Sequence, residues 1–163
     1  MSYKASFLFA PGEYRMPRSK LEFTSVPDYF LKISKYLDPQ LLFETNNFLV
    51  YVYLYEDQRV VALIDKSSKK SYLNYLNDND IDAGILNNLD GGTMLEPKSY
   101  FEENGREYMI GFVTPYKLKI HVTSSEFKNA TPSSFEKKKE LEKLANSLKE
   151  TDNPVLMIVR LKK

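Results

Sequence analysis

The feature that most restricts this chain is a single run, Phe48 to Tyr55 (FLVYVYLY), in which every residue is aromatic, β-branched or leucine. Such a run fits a pleated surface better than a helix. Glu56-Asp57-Gln58 then turns the chain, and Arg59 to Ile64 (RVVALI) has the same character. Leu41 to Glu44, closed by Asn46-Asn47, precedes the pair, and Ser71 to Tyr75 follows the polar turn Asp65 to Lys70. The pattern predicts an antiparallel four-stranded meander over Leu41 to Tyr75. Nearly continuous apolar character in its two middle strands implies cover on both faces.

The flanking segments are more punctuated. Ala5 to Ala10 reads as a strand closed by Pro11-Gly12, and Pro17 and Pro27 keep the next stretch irregular. Tyr29, Phe30, Ile33 and Leu37 predict a turn or two of helix within Asp28 to Tyr36. After an acidic, Asn-rich loop at Asn77 to Asp82 and a turn at Asp90-Gly91-Gly92, strands at Lys98 to Glu102 and Glu107 to Val113 flank Asn104-Gly105, a strong hairpin signal. Thr114 followed by Pro115 starts a helix expected to reach Lys128, although Leu118, Ile120 and Val122 alternate as a strand would. Ser133 with Glu136 forms a capping-box pattern, and Leu141, Leu144, Ala145 and Leu148 mark one face of a helix over Ser133 to Lys149. Val155 to Leu161 is a last strand, expected to join the 98–113 sheet because its apolar residues have no other partner. The expected fold class is therefore mainly β, with helices inserted before the C-terminal strand, in one domain over 1–163.

Several functions are excluded by what the chain lacks. It has no cysteine, hence no disulfide, thiolate metal site or Cys nucleophile. It has one histidine, His121, too few for a His-rich zinc site. Its formal net charge of +1 gives no field to gather nucleic acid or an anionic membrane. No stretch approaches the roughly 20 apolar residues that span a bilayer, and no export signal is visible near Met1. The expectation is a protein that is cytoplasmic by default, or a fragment of something exported, with no nucleic-acid partner, no membrane insertion and no cofactor.

Residues Lys138 to Leu161 (KKELEKLANSLKETDNPVLMIVRL) resemble the C-terminus of the six-bladed β-propeller proteins of gut Bacteroidales, relatives of the NHL-repeat propellers. Other segments are similar in the same order. Gly12 to Pro17 (GEYRMP) is like a Gly-Lys-Tyr-Lys-Met-Pro segment between blades of that family. Leu42 to Tyr55 with Ile64-Asp65-Lys66 is like its aromatic hairpin, and Asn79 to Gly84 (NDIDAG) is like its Asn-Asp-Ile-Asp-Gly-Gly loop, with Ala83 in place of a glycine. The resemblance implies propeller-like blades: a preceding blade's tail over 1–40, a complete blade over 41–75, and a last blade with a helical insertion over 76–163. A ring of six blades of about 40 residues needs a longer chain, so it implies the C-terminal part of a propeller, either a natural short protein or a truncated remnant. For full-length relatives it implies the cell envelope or periplasm.

The candidate sites each have a plainer reading. Asp78, Asp80 and Asp82 alternate like calcium-loop ligands, but Ala83 and Leu89 stand where that loop needs Gly and Glu. A solvated loop is the better account. His121 has no Ser or Asp at a telling spacing and reads as a surface histidine on a helix. The tyrosines of Phe48 to Tyr55 could face a glycan or peptide but more often pack as core. Lys137-Lys138-Lys139 is interleaved by Glu136, Glu140 and Glu142, a solvated helix face. The expected function is a non-catalytic, propeller-derived binding or scaffolding module with a protein, peptide or glycan ligand. The alternatives are a metal-dependent hydrolase or lyase carried by Asp78, Asp80, Asp82 and His121, and a remnant without function. Two blades leave an apolar sheet face without a neighbour, which predicts a homo-oligomer.

Overall fold

The computed structural model describes residues 10–20, 22–56, 58–76 and 84–161. Four strands form the first sheet in the order of the chain: β1 (Asp38–Glu44), β2 (Phe48–Tyr55), β3 (Gln58–Asp65) and β4 (Ser71–Leu76), each antiparallel to the next. The meander expected over Leu41 to Tyr75 is present. β1 begins three residues earlier, at Asp38; the missing N–H of Pro39 is harmless on an edge strand, and the register slips between Pro39 and Leu41. In β2, Leu49 to Val52 are all buried, as expected for a strand covered on both faces.

The second sheet has the order β5 (Ser99–Glu103), β6 (Arg106–Val113), β7 (Val155–Arg160), again antiparallel. Asn104 and Gly105, at φ of 52° and 69°, make the two-residue turn between β5 and β6. The C-terminal strand returns to β6 as expected, pairing Val113 with Val155 and Tyr108 with Arg160.

Four α-helices are present among the described residues. α1 (Val26–Ile33) starts earlier than the apolar spacing suggests, because the Ser25 hydroxyl accepts from Asp28 N and caps it. It buries only Ile33, leaving Phe30 and Leu31 exposed. The single helix expected from Pro115 to Lys128 is two, α2 (Pro115–Thr123) and α3 (Ser125–Asn129). Ser124, extended at ψ 156°, ends the first and caps the second through its Oγ, which accepts from Phe127 N at 3.1 Å. The bend lets Phe127 reach the core at 2% exposure. α4 (Phe135–Ser147) is capped by Ser134, not Ser133, and stops two residues short of Lys149.

Two clusters connect these parts. Val50 of β2 meets Met109 of β6 across Leu95, so the two sheets share a core. Val113, Leu118, Val122, Phe127 and Ala145 form the other, where α2, α3 and α4 pack on the second sheet. Met157 of β7 lies against both clusters. A buried carboxylate ties the sheets at one end. Glu107, 6% exposed, accepts from the backbone N of Asn46 and, at 3.0 Å, from Asn47 Nδ2 in the β1–β2 turn.

This architecture corrects the propeller reading. The protein is a small mixed α/β domain with, among the described residues, one open four-stranded and one open three-stranded sheet. "Mainly β" holds only in part, since four helices are present and α2, α3 and α4 share the core. A four-stranded meander is what tight turns between apolar runs produce in any antiparallel sheet, so it is not diagnostic of a blade. The second sheet does not repeat it, because α2, α3 and α4 stand in sequence where a further hairpin strand would.

Candidate functional site

Beside β7 runs an apolar groove of about 360 Å³, within the size range of ligand clefts. Val155 to Val159 of β7 and residues 85–90 form its walls, together with Leu141 and Leu144 of α4. Leu89 and Leu144, 54% and 40% exposed, stand at its rim, and Leu118 and Leu95, both buried, at its floor.

The wall at 85–90 is a loop, and several polar contacts hold it. Ile85 and Leu95 exchange backbone bonds of 2.8 and 2.9 Å that close its base. Asp90 Oδ1 accepts from Gly92 N at 2.8 Å and from Asn87 Nδ2 at 2.7 Å, fixing the turn. Ser133 donates to Asn88 O through both N and Oγ, and Ser134 N donates to Leu89 O. His121 Nε2 lies 2.8 Å from Gly91 O. A carbonyl only accepts, so that nitrogen carries the proton. The wall is thereby tied to α2 and to the start of α4.

β7 is an edge strand, with β6 as its strand partner among the described residues. Leu161 N donates to Glu107 O at 2.9 Å, which fixes the phase of the ladder. Backbone groups alternate in direction along a strand. Those of Val155, Met157 and Val159 therefore face β6, and those of Leu156, Ile158 and Arg160 face away from it. The side chains of Leu156 and Ile158, 58% and 52% exposed, lie with Phe112 on the sheet's outer face. The approach to β7 is acidic by one charge, with exposed Glu150 and Asp152 against exposed Lys149, and its end is basic, with exposed Arg160.

The residues singled out in the sequence do not assemble into this site. Asp78, Asp80 and Asp82 lie outside the described residues, as does most of the Ala5 to Ala10 segment. His121 is not a surface residue. It is buried at 7% exposure, edge-on to Phe127 at 5.6 Å, and serves the groove wall. Tyr51 is core, at 3% exposure, while Tyr53 and Tyr55 are half-buried. Lys137 pairs with Glu140 at 2.6 Å on the solvated face, but Lys138 departs from that expectation. It donates to Ala130 O at 2.9 Å and lies over the Phe127 ring. Sequence reasoning missed Glu107 and the groove wall. The sole signal for the wall was Asp90-Gly91-Gly92, read there only as a turn.

Neither known protein families nor curated proteins give a match to this chain. Among solved structures, the chain is similar to a "putative exported protein" from Bacteroides fragilis NCTC 9343, at 20% identity and a TM-score of 0.52. The likeness covers 83% of this chain and 33% of that one, so the chain spans about a third of the length of the structure it matches. At that identity the likeness concerns the fold alone. Its description carries no indication of a propeller, and with two open sheets here the six-bladed, NHL-like assignment is withdrawn. No helix among the described residues is long and apolar enough to cross a membrane.

Proposed function

We propose that this protein is a non-catalytic binding module and that its receiving surface is the groove beside β7. The observation that carries the reading is the combination of an apolar groove with a strand edge that has no further strand beside it among the described residues. Proteins rarely leave such an edge bare without a use for it or a guard against it. The guards are charge, proline and bulges, and within β7 the last residue, Arg160, is the one guard. The polar ties that hold the 85–90 wall add support, because a preformed cleft lowers the ordering cost of binding. An enzyme reading loses one of its carriers, since His121 is engaged with Gly91 O.

The test uses a small apolar probe, 8-anilinonaphthalene-1-sulfonate, followed by methyl NMR. The reading predicts shifts at Leu89, Leu144 and Val159, abolished in a Leu144→Glu variant that keeps its circular dichroism. Shifts confined to other surfaces, or none at millimolar probe, would contradict it.

A second reading, self-association, is favoured by a different observation. Phe112, Leu156 and Ile158 lie exposed together on the outer face of the second sheet, with the Phe101 and Tyr108 rings stacked at 4.8 Å across β5 and β6. A second copy of the chain would cover that face.

A further inference from the structure

We infer that the groove takes an extended peptide, which adds to β7 as the fourth, antiparallel strand of the second sheet. The inference rests on the binding-module reading and gives its ligand a chemistry.

The ladder phase makes the demand specific. The outward backbone groups of Leu156, Ile158 and Arg160 supply three N–H donors and three C=O acceptors along one line, spaced as a strand requires. Peptide residues opposite these three would form the hydrogen-bonded pairs and carry their side chains on the outer face. Those opposite Val155, Met157 and Val159 would point the other way, into the groove between β7 and Leu89. The ligand therefore has apolar residues at alternate positions, and the groove reads those positions while the backbone supplies the pairing.

Charge sets the direction. Every neighbouring pair in this sheet is antiparallel, the better hydrogen-bonded arrangement. An antiparallel ligand starts beside Arg160 and ends beside Asp152 and Glu150. It is matched when its N-terminal end is acidic and its C-terminal end basic. A small glycan or lipid offers no such row of alternating donors and acceptors. A second copy of β7 fits less well, because the 85–90 wall stands on the inner side of the edge, where that copy's own core would have to lie.

The probe is a fluorescein-labelled peptide, Glu-Leu-Thr-Val-Thr-Leu-Lys, titrated with the full chain and read by fluorescence anisotropy. Three comparison peptides accompany it: one N-methylated at both threonines, one with the terminal charges exchanged, and one with the apolar positions moved by one residue. The inference expects saturable binding of the parent that weakens tenfold or more on N-methylation and on the one-residue shift. Exchange of the charges weakens it by a smaller factor that shrinks as salt rises. Equal binding of the N-methylated peptide would overturn strand addition while leaving the groove as a receiving site. Absence of peptide binding alongside methyl shifts with the small apolar probe would do the same. Absence of both would remove the binding-module reading as well. If the amides of Leu156 and Ile158 become protected in the peptide-free chain as its concentration rises, a second copy occupies the edge and the inference is overturned. Leu144→Glu and Leu89→Lys, on separate elements, are both expected to abolish binding with unchanged melting temperature.

Discussion

At the scale of single residues, polar groups at turns carry much of the specification. The Asp65 carboxylate accepts from Ser67 Oγ at 2.7 Å and from the backbone N of Ser67 and Ser68, which holds it down to about 2. Because the folded value lies below the ordinary one near 3.8, this turn's contribution is complete above that value and is lost as pH falls through about 2. A carboxyl NMR titration should place the Asp65 midpoint near 2, and Ser67→Ala should move it back toward the ordinary range. Tyr51 goes the other way, pushed up to about 12 by burial and then by Tyr53 and Asp38. Its neutral form therefore supports the fold below the ordinary value near 10, and that support fades as pH rises through 12. Glu107 is the residue with most at stake. Glu107→Ala strands the donors of Asn46 and Asn47 between the sheets and should cost roughly 2–3 kcal/mol in urea unfolding. A loss within the range of a surface substitution would show that the tie does not bear on stability.

At the scale of elements, the strands were legible because period and turn chemistry agree locally. Phe48 to Tyr55 and Arg59 to Ile64 are apolar on both faces and bounded by polar turns, and Asn104-Gly105 specifies its hairpin by conformation alone. Helix ends were less legible, since they depend on which hydroxyl faces the first turn. Ser133 and Ser134 are adjacent and both suited to capping, but Ser133 is drawn away by Asn88 O. Ser134→Ala should therefore cost about 1 kcal/mol as a lost cap, and Ser133→Ala less. Equal losses in thermal melts would return the cap to Ser133. The break at Ser124 was hidden for a similar reason, because burial of Phe127 and Leu118 is a tertiary matter. Contacts between elements left no local trace at all. Gly111 of β6 looks like a strand defect in sequence. A Cβ there would stand 2.6 Å from Glu96 O and from Leu95 Cδ1, so its lack of a side chain admits the 95–96 crossing. Gly111→Ala should destabilise by roughly 1–3 kcal/mol through overpacking, visible in the same urea experiment.

At the scale of the whole molecule, the sequence led to the wrong assembly of mostly right pieces. Short strands, polar turns and a familiar C-terminal run suggested blades, but nothing local reports whether sheets repeat around an axis or simply pack on one another. The groove was invisible for the same reason, since its lining comes from β7, α4 and a loop far earlier in the chain. Self-association belongs to this scale. Light scattering after size exclusion should give the mass of a dimer or larger species, reduced to one chain by Ile158→Glu; a single-chain mass for the unaltered protein at tens of micromolar would rule out the outer face as a self-contact. The central claim is that β7 offers a bare strand edge to a ligand, and residue-resolved amide hydrogen exchange in the peptide-free chain tests it most directly. The amides of Met157 and Val159, turned to β6, should exchange slowly, and those of Leu156, Ile158 and Arg160 should exchange fast and slow down once peptide is added. Uniform protection of all five in the dilute chain would mean that the edge is already paired, and would contradict the account.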